Sequence, residues 1–142
     1  MSATGDHVQV LGIVGSPRRG GNTEVLVDEV LRGAREAGAQ TVKVVLSELD
    51  IAPCRACDAC KTGECVQRDD MLPLLEQMAR SQVWVLGTPV YWWGPSAQLK
   101  TFVDRWYGAG QAVTFEGRQV ILAVPLGDTY AGTARHTVGM LK

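Results

Sequence analysis

The sequence predicts an α/β domain, a doubly wound parallel sheet with helices on both faces. Three observations lead there. Two aliphatic runs, residues 8–14 and 83–87, are too continuously apolar for strands with one wet face. Stretches with apolar residues at helical spacing alternate with the strand-like runs. The length of 142 residues suits one buried core and not two, so residues 1–142 read as a single domain.

The elements follow in order. The first strand, residues 8–14, ends at Gly15. After the polar turn SPRRGGN, residues 23–37 place Val27, Val30, Leu31 and Ala34 on one helical face, with Gly38 as the stop. Residues 41–46 are rich in β-branched side chains and make the second strand, completing a βαβ unit. A cysteine-bearing segment comes next. Asp69 and Asp70 then cap a helix whose Met71, Leu74, Leu75, Met78 and Ala79 share a face, and Pro73 falls in its tolerant first turn. Residues 83–87 form the third strand, followed by the loop TPVYWWG. Pro95 opens a helix expected to bury Leu99, Phe102, Val103, Trp106 and Tyr107, with Lys100 and Asp104 paired on its outer face. Residues 119–124 are the fourth strand, and the turn PLGDTYAG leads into a last helical stretch ending at Lys142.

Composition narrows the function. Hydrophobic residues make up 46% and charged residues 20%, as in ordinary soluble domains. Fourteen Lys and Arg stand against fifteen Asp and Glu, a net charge of -1, which leaves no global field to attract nucleic acid or an anionic membrane. The first fifteen residues lack a basic start and are interrupted by Gln9, unlike a signal peptide, and no apolar run approaches the roughly 20 residues that span a bilayer. The expectation is a cytoplasmic protein. All four cysteines lie between positions 54 and 65, the wrong distribution for a disulfide framework.

Parallel sheets of this kind bind ligands beyond the carboxyl ends of their strands, where strand order reverses. The loops to search are 15–23, 88–94 and 125–130. The first combines glycines, hydroxyls and guanidinium groups just before a helix start: its N-H groups and dipole favour an anion, Ser16, Asn22 and Thr23 add donors, and Arg18 adds charge. It is neither a Walker A motif nor a dinucleotide fingerprint. The plainer reading is a glycine-rich turn with surface arginines. The second loop places Tyr91, Trp92 and Trp93 where a loop is ordinarily polar. Those rings either cover something flat or pack on Trp106 or a partner subunit. If the strand order is 2-1-3-4 the two loops share a crevice, and a phosphate grip beside an aromatic slot suits flavin mononucleotide, FMN.

The stretches GSPRRGGNT, the DDM helix start and TPVYWWGPSAQLKTFVDRW together resemble the flavodoxin-like NAD(P)H-dependent FMN reductases, from about Val8 onward. The resemblance implies that Ser16, Arg18, Asn22 and Thr23 hold the FMN phosphate. It implies that Pro89, Val90, Tyr91 and Trp92 lie against the isoalloxazine ring, and that Gly127 and Asp128 approach the flavin. Homodimers or homotetramers with flavin sites near subunit interfaces are expected from it. A flavodoxin-like sheet ordinarily has a fifth strand, which is missing from this reading of the chain; truncation or cover by another chain would account for that.

Cys54, Cys57 and Cys60 reproduce the C-x2-C-x2-C run of bacterial ferredoxins, and Cys65 follows four residues later. Structural zinc more often uses two separated knuckles. His7 and His136, the only histidines, lie far away in sequence and read as solvated surface residues. The segment resembles that of the iron-sulfur flavoproteins, which implies Cys54, Cys57, Cys60 and Cys65 as ligands of a 4Fe-4S cluster. Buried or redox-active thiols are the alternative.

No Ser-His-Asp set and no paired acid-base carboxylates stand in a recognisable motif, so hydrolytic chemistry lacks its residues and no catalytic acid or base is nominated. What remains is cofactor chemistry: electrons from NAD(P)H through FMN to a small-molecule acceptor such as a quinone, nitro or azo compound, or another flavin. Backbone N-H groups between Val90 and Gly94 are expected to stabilise charge on the reduced ring. An electron carrier with a cluster, inert to nicotinamides, is the competing reading.

Overall fold

The structure is a computed structural model that describes residues 7–109, 113–130 and 132–142. Residues 1–6 of the amino-terminal stretch and Ala131 of the turn after the fourth strand lie outside the described residues. Strands β1 (Gln9–Val14), β2 (Gln40–Val45), β3 (Val83–Gly87) and β4 (Gln119–Ala123) form one parallel sheet. Its order is β2-β1-β3-β4, the flavodoxin-like order. Helices α1 (Asn22–Glu36), α2 (Met71–Arg80), α3 (Ala97–Asp104) and α4 (Arg135–Leu141) alternate with or follow the strands.

Alternation along the central strands explains how the two faces are covered. Val10, Val14 and Val85 point to one side, where Val27 and Leu31 of α1 close over them. Leu11, Ile13, Trp84 and Leu86 point to the other. There they meet Met71, Leu74, Leu75 and Met78 of α2 with Leu99 and Phe102 of α3. Trp84, 1% exposed, satisfies its indole N-H on the Met78 carbonyl at 3.1 Å. β4 is different: Val120 and Ile121 are 44% and 41% exposed, because it is the sheet's edge among the described residues.

The helix after the third strand is shorter than the apolar spacing implies. It starts at Ala97 rather than Pro95, because Ser96 caps it with a hydroxyl that accepts from the Leu99 N-H at 3.2 Å. It gives way after Asp104 to a tight turn, Arg105–Gly108. Three residues per turn instead of 3.6 rotate the following side chains. Trp106 still packs on Trp84 and Phe102, but Tyr107, expected in the core, is 58% exposed. The Lys100–Asp104 pair forms on the outer face as expected. No described helix is long and apolar enough to cross a membrane.

Register positions the site. Val14 pairs with both Val45 and Gly87, and Gly87 pairs with Ala123, so β1, β3 and β4 end flush. Their following loops leave the same edge side by side.

Candidate functional site

At that edge the loops after β1, β3 and β4 enclose a cleft of about 310 Å³. Ser16, Arg18, Asn22 and Thr23 line one wall, and Pro89, Val90 and Tyr91 another. Pro125, Leu126 and Gly127 complete it. Eight of the ten residues expected around a flavin therefore share one cavity, whose volume lies at the lower end of the range for ligand pockets. Trp92 and Asp128 are the two that do not line it.

The first wall is built on close backbone approach. The Gly15 N-H donates to the Gly87 carbonyl at 2.7 Å, bridging the ends of β1 and β3. A methyl group on Gly15 would sit 2.8 Å from that carbonyl oxygen and 2.9 Å from Leu99 Cβ. One on Gly87 would sit 2.5 Å from Val27 Cγ2 and 3.0 Å from Thr23 Cγ2. Only glycine lets α1 descend onto the sheet and bring its first turn to the cleft. The residue before that turn, Gly21, has no side chain with which to cap it. The helix's first N-H groups are therefore left for a ligand, at the positive end of its dipole. Buried Ser16 accepts from the Arg18 N-H at 3.1 Å, which turns the chain so that Arg18 reaches the cleft.

Arg19 is used otherwise. It forks onto Glu24 (3.2 and 3.0 Å) and also reaches Glu48. The sequence reading missed Glu24, which is 5% exposed and also accepts from the Gly20 N-H at 2.7 Å and from Lys43 at 2.9 Å. The Arg19 bond, the Gly20 N-H and Lys43, in that order, hold its carboxyl well below the usual range, at about 2. The available signal was an acidic residue in the first turn after a glycine pair, a relative of the capping box.

The second wall is a tight reversal. The Tyr91 and Gly94 N-H groups donate to each other's carbonyls at 2.9 and 3.0 Å. Trp92 and Trp93 between them take left-handed backbone, φ +49 and +62. Two of the N-H groups expected to face a reduced ring are therefore consumed within the turn. Trp92 stands 91% exposed, edge-on to Trp93 with ring centres 5.2 Å apart. Thr88 closes the base of the loop, its hydroxyl accepting from the Ser96 N-H at 2.9 Å and donating to the Pro89 carbonyl at 2.9 Å.

In the third loop Gly127 lines the cleft, whereas the exposed Asp128 is engaged locally. Its carboxylate accepts from Thr133 at 2.6 Å and from the Tyr130 N-H at 3.0 Å. These bonds, the first foremost, hold its pKa below the usual value.

All four cysteines line a separate recess with Arg105, Tyr107 and Gly108. Ala56 and Asp58 adopt left-handed backbone as the segment winds, φ 49 and 59. Cys54 and Cys57 are exposed, Cys60 and Cys65 half-buried. Among the described residues, no three His, Cys, Asp or Glu side chains are grouped closely enough to hold a metal ion as they stand. In donor type the set still suits iron and sulfide: four thiols, with backbone and guanidinium N-H groups aimed at two sulfurs. These are the Ala56 N-H on Cys54 Sγ (3.4 Å) and Arg105 Nη2 on Cys65 Sγ (3.6 Å). Arg105, also missed from sequence, is 5% exposed and pairs with Asp69 while donating to the Ala52 carbonyl at 2.8 Å. Burial pushes the Asp69 carboxyl up, but Arg105 and the Ala52 and Met71 N-H groups outweigh it and leave the pKa lowered.

Comparison with known proteins agrees with this arrangement. The family described as NADPH-dependent FMN reductase matches residues 8–141. An iron-sulfur flavoprotein of Archaeoglobus fulgidus is 38% identical over 112 residues, covering 78% of this chain and 51% of that protein. One of Methanocaldococcus jannaschii is 42% identical over 99 residues, covering 69% and 51%. The chain spans about half the length of these curated relatives. Among solved structures, the NAD(P)H:quinone oxidoreductase of Methanothermobacter marburgensis superposes with a TM-score of 0.72 at 18% identity, over 91% of this chain and 72% of the other, a likeness of fold. With a match that runs nearly end to end, over a cleft formed where the motifs of that family converge, the chain belongs to the NADPH-dependent FMN reductase family.

Proposed function

We propose that this chain binds FMN in the cleft above β1, β3 and β4 and serves an oxidoreductase that moves electrons from NAD(P)H to a small-molecule acceptor. The observation that carries the reading is the convergence of three loops, distant in sequence, on one cavity. One wall is a helix N-terminus with a guanidinium and the other is apolar. When bound, FMN supplies the redox step, taking a hydride equivalent from the nicotinamide and passing electrons on. The protein's part is positional. Ser16, Arg18, Asn22, Thr23 and the first N-H groups of α1 take the phosphate. Pro89, Val90 and Tyr91 offer the ring an apolar edge, and Gly127 leaves room for its approach. Trp92, outside the cavity, has no place in this binding set. Titration of the purified chain with FMN tests the reading: saturable one-to-one quenching of flavin fluorescence, followed by bleaching with NADH or NADPH without air, supports it. Absence of binding refutes it.

A second reading concerns the cysteine segment. Its four thiols share one recess, and the similar proteins carry iron-sulfur names, which supports Cys54, Cys57, Cys60 and Cys65 as holders of a 4Fe-4S cluster. Such a group would supply one-electron storage. Cys57→Ala is expected to abolish iron and sulfide uptake on anaerobic reconstitution; full iron content in that variant removes Cys57 from the set. A homodimer or homotetramer is proposed as well. Tyr91, Trp92 and Trp93 of one loop and Tyr130 of another are exposed aromatic side chains of the kind that self-association covers, and a monomer by light scattering would contradict it.

A further inference from the structure

Beside the cleft, the loop after β1 and strand β2 meet on one carboxylate of α1. Glu24, in the first turn of α1 and 5% exposed, receives Arg19, the Gly20 N-H and Lys43. Arg19 continues to Glu48, just beyond β2, and Lys43 continues to Asp28. None of Arg19, Gly20, Glu24 and Lys43 lines the cleft, although Arg18, Gly21, Asn22 and Thr23 do. The loop is thus split between residues that face the cavity and residues that fasten its outer edge.

The fastening acts on the residue where the turn is made. Gly20 has φ +66, a conformation with many alternatives for glycine, and its N-H would point to water without the carboxylate. A capping-box acid ordinarily reaches back to the residue just before the helix; Glu24 reaches one residue further and so governs the turn itself.

We propose that Glu24 is a positioning residue for the phosphate of the bound nucleotide: it clamps Arg19 and the Gly20 N-H and so fixes the turn that presents Ser16 and Arg18. This rests on the FMN reading above and adds to it a source of selectivity. Of two adjacent arginines, one is committed to the scaffold and one to the ligand. The clamp acts on the phosphate end alone, so it governs discrimination between FMN and riboflavin, which has the same ring and no phosphate.

The test is the ratio of riboflavin to FMN dissociation constants, measured by fluorescence quenching for the whole chain and its Glu24→Gln variant. The amide keeps the size of the side chain and loses the charge that holds the fork. FMN affinity is expected to fall about tenfold while riboflavin affinity stays within about twofold, so the ratio collapses. Arg19→Gln is expected to give the same loss, and the double variant no further loss, as for two members of one clamp. The contrary result is tighter FMN binding by Glu24→Gln, which would mean that Arg19 is an anion ligand restrained by Glu24. An unchanged ratio also overturns the proposal. Should Glu24→Gln fail to fold, Arg19→Lys decides: it keeps the charge and loses the bidentate fork, so retained selectivity overturns the clamp and lost selectivity supports it. A wild-type chain that binds neither flavin defeats the FMN reading first, a failure separate from any change between variants.

Discussion

Arg18 and Arg19 differ by one position and face different ways, and that difference decides what each substitution does. Arg18 lines the cleft, and among the described residues no carboxylate pairs with it. Arg18→Ala is expected to raise the FMN dissociation constant by about tenfold, the loss of one charge-assisted bond with the helix N-terminus still in place; equilibrium titration checks it. Glu24 has a pKa lowered from 4.5 to about 2, so its stabilising contribution is complete above pH 4.5 and disappears as acid brings the pH down toward 2. Glu24→Gln is therefore expected to flatten the fall of stability between pH 4.5 and 2, measured by denaturant unfolding followed by circular dichroism. Arg105 and Asp69 are a different case, with side chains only 3% and 6% exposed. Arg105→Met leaves a carboxylate buried without its partner and is expected to cost about 3–5 kcal/mol in denaturant unfolding, while removing both charges together should cost much less.

At the scale of elements, the reversal at Tyr91–Gly94 carries backbone strain. Trp92 adopts φ +49 with 91% of its surface in water, so its side chain gains little from folding to offset an unfavourable conformation. Trp92→Gly is expected to raise unfolding free energy by about 1 kcal/mol; a drop instead would show that its contact with Trp93 outweighs the strain. The elements themselves were largely legible in sequence, because a strand buried on both faces writes a continuous aliphatic run and a helix on a sheet writes a regular stripe. What escaped were contacts that periodicity does not encode. The apolar spacing continues from Phe102 to Trp106 through a change of helix type, so Tyr107 looked buried. Arg105 sits in that same stripe, three residues after Phe102, and a charge there was the sign of a buried partner, but the partner, Asp69, lies 36 positions away. Asp128 and Trp92 belong to loops that border the cleft yet do not line it, because a loop's own hydrogen bonds and turn type choose its orientations.

For the whole molecule, strand order turns separate motifs into one cavity. Nothing in the periodicity specifies 2-1-3-4; that order entered as the condition under which the two loops share a crevice, and the sheet has it. α3 then relates the two candidate sites. Its cap, Ser96, donates to the carbonyl of Gly15 at the start of the loop after β1, and the turn that follows its other end delivers Arg105 to Cys65. Over eight residues such a helix extends about 12 Å, so the cysteine recess and the cleft at the strand ends are held by opposite ends of one rigid rod. The central claim is that the nucleotide lies across the ends of β1, β3 and β4. Hydrogen-deuterium exchange of the chain with and without saturating FMN tests this most directly. The account predicts slowed exchange in residues 16–23, 88–91 and 125–127 and no change in the cysteine segment. Protection confined to the cysteine recess, or to none of those three loops, would contradict it.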